Sequence, residues 1–142
     1  MTRIAYVNGR YLQHRQASVH VEDRGYQFGD GVYEVCEVRN GRLVDERRHF
    51  ERLSRSLTAI AIEPPTNQAS LGVIFREVVR QNRVRDGIVY LQVSRGVAPR
   101  NHAFPNPAVT PSVVVTARSI ARGIGEARAA AGVSVVTIPE NR

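Results

Sequence analysis

Residues 22–37, Glu-Asp-Arg-Gly-Tyr-Gln-Phe-Gly-Asp-Gly-Val-Tyr-Glu-Val-Cys-Glu, constrain the fold of this chain more than any other stretch. Gly25, Gly29 and Gly31 crowd together beside Asp23, Arg24 and Asp30. Glycines free the backbone and let it approach a ligand or another segment closely. A period of two begins at once, with Val32, Glu34, Cys36 and Val38 on one parity and Tyr33, Val35, Glu37 and Arg39 on the other. Alternate residues share a face of a strand. A glycine loop feeding such a strand makes Tyr33, Val35 and Glu37 candidates for a pocket wall. On local chemistry alone the same residues also fit a turn followed by a half-buried strand.

The neighbouring segments extend this strand into a sheet. Residues 4–7, Asn8-Gly9 and residues 10–12 predict a hairpin, since Asn-Gly suits a type I′ turn. Residues 17–21 predict a short third strand with Val19 and Val21 on one face. A second tight turn at Asn40-Gly41 leads into a strand over 42–44. Asp45 is a candidate N-cap. Phe50, Leu53, Leu57 and Ile60 then recur at helical spacing, predicting an amphipathic helix to about Ile62 that Pro64-Pro65 stops. Thr66 or Asn67 opens a second helix with Leu71, Ile74, Phe75, Val78 and Val79 on its buried side.

Alternation resumes over 88–95, with Val89, Leu91 and Val93 on one face. Residues 96–111 carry Pro99, Pro105, Pro107 and Pro111 and read as a long loop. Residues 112–117 and 133–138 predict two further strands. Residues 118–132, with Gly123, Gly125 and an alanine run, fit either a helix or a linker. Strands, two consecutive helices, then strands indicate an α+β fold: an antiparallel sheet of short strands with two consecutive helices packed on it. At 142 residues this is a single domain, 1–142.

Composition narrows the function classes. The chain is 42% hydrophobic and 23% charged, with no apolar run long enough for a membrane span. Residues 1–10 carry Arg3, Asn8, Gly9 and Arg10 and no signal pattern. A lone Cys36 excludes an internal disulfide, fits a cytoplasmic setting and sits at a buried strand position as an inert thiol. The net charge of +7 raises nucleic-acid binding. Yet every basic residue is arginine, spread from Arg3 to Arg142 with Arg47-Arg48 the one adjacent pair. No basic block interleaves with aromatics, so neither nucleic acid nor membrane is expected as a partner. No metal site is expected.

Two constellations carry candidate chemistry. Arg52 lies off the apolar stripe of the first helix, where an arginine is ordinarily just solvated. In the proline-stiffened loop, Arg100 and His102 are spaced i and i+2, so both can converge on one carboxylate. An exposed loop with incidental Arg and His is the plainer alternative.

Residues 22–35 resemble the N-terminal signature of D-amino-acid transaminases, within the class IV (fold type IV) pyridoxal-phosphate enzymes. The string His49-Phe50-Glu51-Arg52-Leu53 is similar to the family's His-apolar-acid-Arg-Leu context, whose arginine binds the cofactor phosphate. The segment 95–102 looks like the family's Arg-x-His loop, which binds the substrate α-carboxylate together with a tyrosine that Tyr33 matches. The resemblance implies pyridoxal 5′-phosphate as cofactor, with Arg52 as its phosphate ligand. It implies Tyr33, Val35, Glu37, Arg100 and His102 as substrate-binding residues. It also implies a homodimer in which the loop enters the neighbouring subunit's site. The activity implied is amino-group transfer between D-amino acids, such as D-alanine, and 2-oxo acids, such as 2-oxoglutarate.

The sequence departs from the family in places. Glu37 stands where well-known members carry lysine, and Asn101 replaces a small residue. The chain contains no lysine, so the residue that holds the cofactor covalently is not in it. Residues 137–142 look like the segment just upstream of that lysine. The resemblance therefore implies an N-terminal part, with the family's C-terminal cofactor domain absent. The rival readings are another class IV enzyme, namely an (R)-amine or branched-chain transaminase or an aminodeoxychorismate lyase, and a non-catalytic binding domain.

Overall fold

The computed structural model describes residues 3–121 and 124–140. The Asn8-Gly9 turn, with φ of 45° and 90°, joins β1 (Ile4–Val7) to β2 (Arg10–Gln13). A helical turn at His14–Gln16 and a short helix α1 (Arg24–Phe28) precede β3 (Gly31–Arg39). Asn40 and Gly41, at φ of 52° and 74°, turn β3 back into β4 (Arg42–Leu43). Helices α2 (Glu46–Ala59) and α3 (Gln68–Gln81) follow, then β5 (Gly87–Ser94), β6 (Ser112–Ser119) and α4 (Ile124–Ala131). The six strands form one sheet in the order β2-β1-β6-β5-β3-β4, every neighbouring pair antiparallel. The predicted α+β architecture is the one observed.

Helices α2 and α3 cover one face of this sheet because their apolar stripes meet one parity of its strands. Cys36 and Val38 of β3, Val89, Leu91 and Val93 of β5, and Val113, Val115 and Ala117 of β6 form a core with Phe50, Leu53, Leu57, Leu71, Phe75, Val78 and Val79. Phe50 and Phe75 meet edge to face at 5.2 Å. The end of α3 is stapled to β1 by Asn82, whose Oδ1 accepts from Ile4 N–H and whose Nδ2 donates to Ile4 O, both at 2.9 Å. Cys36 is fully buried and its thiol donates to Val44 O at 3.1 Å. Burial pushes that thiol up to about 11, so it is inert, as read from its strand position.

Four local expectations are corrected. Residues 17–21 form no strand: the helical turn at His14–Gln16 interrupts the chain after β2, and Ala17, Ser18 and Val19 line a groove beside the sheet instead of pairing with it. Residues 133–138 pair with no strand among the described residues; Val133, Val135, Val136 and Ile138 are all exposed. Alternation alone had no partner to join. The glycine-rich stretch is not an open loop but contains α1, because Asp23 Oδ1 caps it by accepting from Gly25 N–H at 2.9 Å. Asp45 does sit at the start of α2, but at φ 53° its side chain makes no cap bond and only its carbonyl accepts from His49 N–H. Asn67, by contrast, caps α3 through a 2.8 Å bond from Ser70 N–H. Within 118–132 a helix forms over Ile124–Ala131, while residues 122–123 lie outside the described residues. So do residues 141–142, which end the segment compared with the approach to a lysine.

Candidate active site

Strand β3 presents its two faces to two different environments. Glu34 points with Cys36 and Val38 toward the helices and is 1% exposed, whereas Tyr33 and Glu37 on the opposite parity are exposed and Val35 half-buried. A carboxylate among apolar side chains requires a cationic or hydrogen-bonding partner. Helix α2 supplies two. Arg52 forks onto Glu34, Nε to Oε1 at 2.7 Å and Nη2 to Oε2 at 2.6 Å, and His49 Nδ1 lies 2.8 Å from Oε2. Burial alone raises the Glu34 carboxyl, but the bonds from Arg52 and His49 outweigh it and hold the group below its ordinary value. Residues 49 and 52 lie one turn apart on α2, which is why both reach one carboxylate. The Arg52 side chain remains 58% exposed, and Nη1 makes no bond to Glu34. Sequence reading singled out Arg52 but missed Glu34. The signal was present, since an acid alternates there with Val32, Cys36 and Val38.

On the open face, Tyr33 stacks on Tyr90 with ring centroids 5.9 Å apart. Tyr90 bonds in turn to Gln92. Glu37 accepts from Arg39 Nε at 3.1 Å and Nη2 at 2.9 Å, so the acid that departs from the family pattern is locally neutralised. The same face contains a groove of about 450 Å³ between the sheet and the segment after β2, with Ala5, Val7 and Tyr90 on its floor and Val19 and Tyr26 at its rim.

The loop 96–111 starts at Gly96, where φ is 110° and a Cβ would lie 2.1 Å from Thr110 O, so only glycine fits. Arg100 and His102 are brought together around one ring: Arg100 Cζ lies 5.2 Å from the Phe28 centroid and the His102 ring 5.3 Å from it. Among the described residues, neither makes a hydrogen bond or ring contact with Tyr33 or Arg52. The predicted site residues thus form three groups: Arg52 on Glu34, Tyr33 with Val35 and Glu37 on the open face, and Arg100 with His102 on Phe28.

Arg24, Asp30 and Arg95 form a further cluster, present in the sequence only as charges flanking glycines. Asp30 Oδ2 accepts from Arg24 Nε at 2.7 Å and Arg95 Nε at 2.8 Å, and Oδ1 accepts from Arg95 Nη2 at 3.0 Å. Arg95 also donates to Ile60 O and Ala61 O just beyond α2, both at 2.7 Å, and its guanidinium lies 3.9 Å from the Phe104 centroid. Burial raises the Asp30 carboxyl, but Arg95 and Arg24 together hold it below its ordinary value.

Residues 31–142 match the family model for amino-transferase class IV. A D-alanine aminotransferase of Staphylococcus haemolyticus is 40% identical over 122 residues, covering 86% of this chain and 43% of that protein. The chain therefore spans less than half the length of this curated relative. Among solved structures, the branched-chain amino acid aminotransferase of Escherichia coli superposes with a TM-score of 0.77 at 18% identity, over 84% of this chain and 42% of that one. At that identity the likeness concerns the fold. The 4-amino-4-deoxychorismate lyase of Pseudomonas aeruginosa is 30% identical with a TM-score of 0.64, over 81% of this chain and 39% of that one. With the family model matching well over half of its residues, the chain belongs to the class IV aminotransferases.

Proposed function

We propose that this chain is the N-terminal part of a pyridoxal-phosphate-dependent D-amino-acid transaminase, which moves an amino group between D-amino acids such as D-alanine and 2-oxo acids such as 2-oxoglutarate. One observation supports this above the others: Arg52 is a permanent cation, fixed in orientation by the buried Glu34 carboxylate and otherwise exposed. That donor set fits a phosphate dianion, which a guanidinium binds through charge-assisted bonds. When bound, pyridoxal phosphate supplies the electron sink for chemistry at the amino acid α-carbon. This chain has no lysine, so covalent attachment of the cofactor is not among its contributions.

The chain's own residues would bind and orient. Arg52 holds the phosphate. The Tyr33 hydroxyl, the Arg100 guanidinium and the His102 ring together hold the substrate carboxylate. Fixing the carboxylate decides which space remains for the side chain and which face of the α-carbon is presented. Val35 and Glu37 border that space, with Glu37 offset by Arg39. The separation of Arg100 and His102 from Tyr33 within one chain supports a homodimer in which the loop serves the neighbouring subunit's site. The identity to a D-alanine aminotransferase favours this substrate class over a branched-chain or lyase activity.

The test uses the complete protein loaded with cofactor. D-alanine should bleach its visible absorbance band, 2-oxoglutarate should restore it, and L-alanine should leave it unchanged. A response to L-amino acids alone would replace this reading with the branched-chain one. Release of pyruvate from 4-amino-4-deoxychorismate, with no response to D-alanine, would favour a lyase.

A further inference from the structure

Resting on that reading, we infer that Arg24 and Phe28 of the first glycine motif are positioning residues that set Arg100 and His102 for the carboxylate. The side chain of Arg24 is 4% exposed and is held by Asp30 through Nε. Its Nη1 donates to Asn101 O at 2.6 Å and Ala103 O at 3.3 Å, the carbonyls on either side of His102. The Arg24 backbone adds to the grip, its N–H donating to Gly96 O at 2.9 Å. One helical turn later, Phe28 offers the ring on which Arg24 Cζ (4.8 Å), Arg100 Cζ (5.2 Å) and the His102 ring (5.3 Å) converge.

These contacts make the two sequence motifs one device. A proline-rich loop without regular structure does not by itself keep two side chains at a fixed separation. Here a buried guanidinium pins the backbone on both sides of His102, and an aromatic face fixes the directions of Arg100 and His102. Cation–ring contacts are favourable while leaving guanidinium edges available for hydrogen bonds. Asp30 also holds Arg95, which grips the carbonyls after α2, so the loop is referenced to the helix that carries Arg52.

The experiment uses the complete holoenzyme and two variants. Phe28→Leu keeps an apolar side chain and removes the ring face. Arg24→Lys keeps the charge, but an ammonium lacks the planar fork that spans Asp30 and the loop carbonyls. Phe28→Leu should raise KM for D-alanine about fivefold, yet by less than about twofold in an Arg100→Ala, His102→Ala background, because it acts through those residues. Half-saturation by pyridoxal phosphate should stay within about twofold of wild type. In Arg24→Lys, amide hydrogens of residues 98–104 should exchange about tenfold faster while those of β5 and β6 keep their protection.

Equal effects of Phe28→Leu in both backgrounds, or unchanged exchange in 98–104, would overturn the inference. Loss of protection in β5 as well would mark Arg24 as a general stabiliser and equally overturn it. If the wild type turns over no D-amino acid, the proposed function fails, and the exchange measurement alone decides whether Arg24 orders the loop.

Discussion

Glu34 is a buried carboxylate held by Arg52, the proposed phosphate ligand, and by His49. Its native pKa lies below the ordinary 4.5. The stabilisation from this depressed value is therefore complete above about pH 4.5 and is lost as pH falls through the native value. Glu34→Gln should cost about 1–3 kcal/mol at pH 7, discounted for the exposure of Arg52. The gap between wild type and variant in thermal melts should close as the solution is acidified below pH 4.5; a gap independent of pH would contradict the electrostatic role. Arg52→Ala probes the same pair from the other side. It should weaken cofactor binding about tenfold or more with little change in KM for the amino acid, checked by titrating apoprotein with pyridoxal phosphate. Arg52 was legible in the sequence because its surrounding residues matched a pattern. Glu34 was passed over because its parity was used only to assign a face.

At the scale of elements, the sequence exposed what local chemistry decides and hid what a partner decides. Both Asn-Gly turns, the helical stripes of α2 and α3, and the alternation of β3 and β5 lie where they were read, since turn residues and periodicity fix them locally. The strands expected over 17–21 and 133–138 did not form, because alternation states only a preference and a strand also needs a partner laid beside it. The helix α1 was hidden by its glycines, and it forms because Asp23 caps it while Ser94 Oγ donates to Asp23 Oδ2 at 3.0 Å. Gly31 follows α1 where β3 begins to pair with β5: a Cβ there would lie 2.5 Å from Val93 O and 2.9 Å from Ser94 Cα. Gly31→Ala should therefore destabilise the domain by about 1–3 kcal/mol, read from denaturant melts. An unchanged midpoint would mean that β3 and β5 separate freely at that point.

Across the whole molecule, one sheet face is filled by helices and the other carries Tyr33, Val35, Glu37 and the groove. The candidate groups were legible as residue types, but their separation was not, because sequence spacing does not say which loop reaches which face. Within one copy, Arg100 and His102 rest on Phe28 while Tyr33 rests on Tyr90. The reading of function depends on these residues forming a single carboxylate site, with Tyr33 of one subunit meeting the loop of another. Subunit mixing tests this most directly. Complete Tyr33→Phe protein and complete Arg100→Ala, His102→Ala protein, each expected to be strongly impaired at limiting D-alanine, are unfolded together, refolded with cofactor and assayed. A site shared between subunits gives each mixed dimer one site with Tyr33, Arg100 and His102 all intact, so activity should recover to about a quarter of wild type for random pairing. Activity that stays at the average of the two parents, in samples where mixed dimers are verified, would contradict a carboxylate site built in this way.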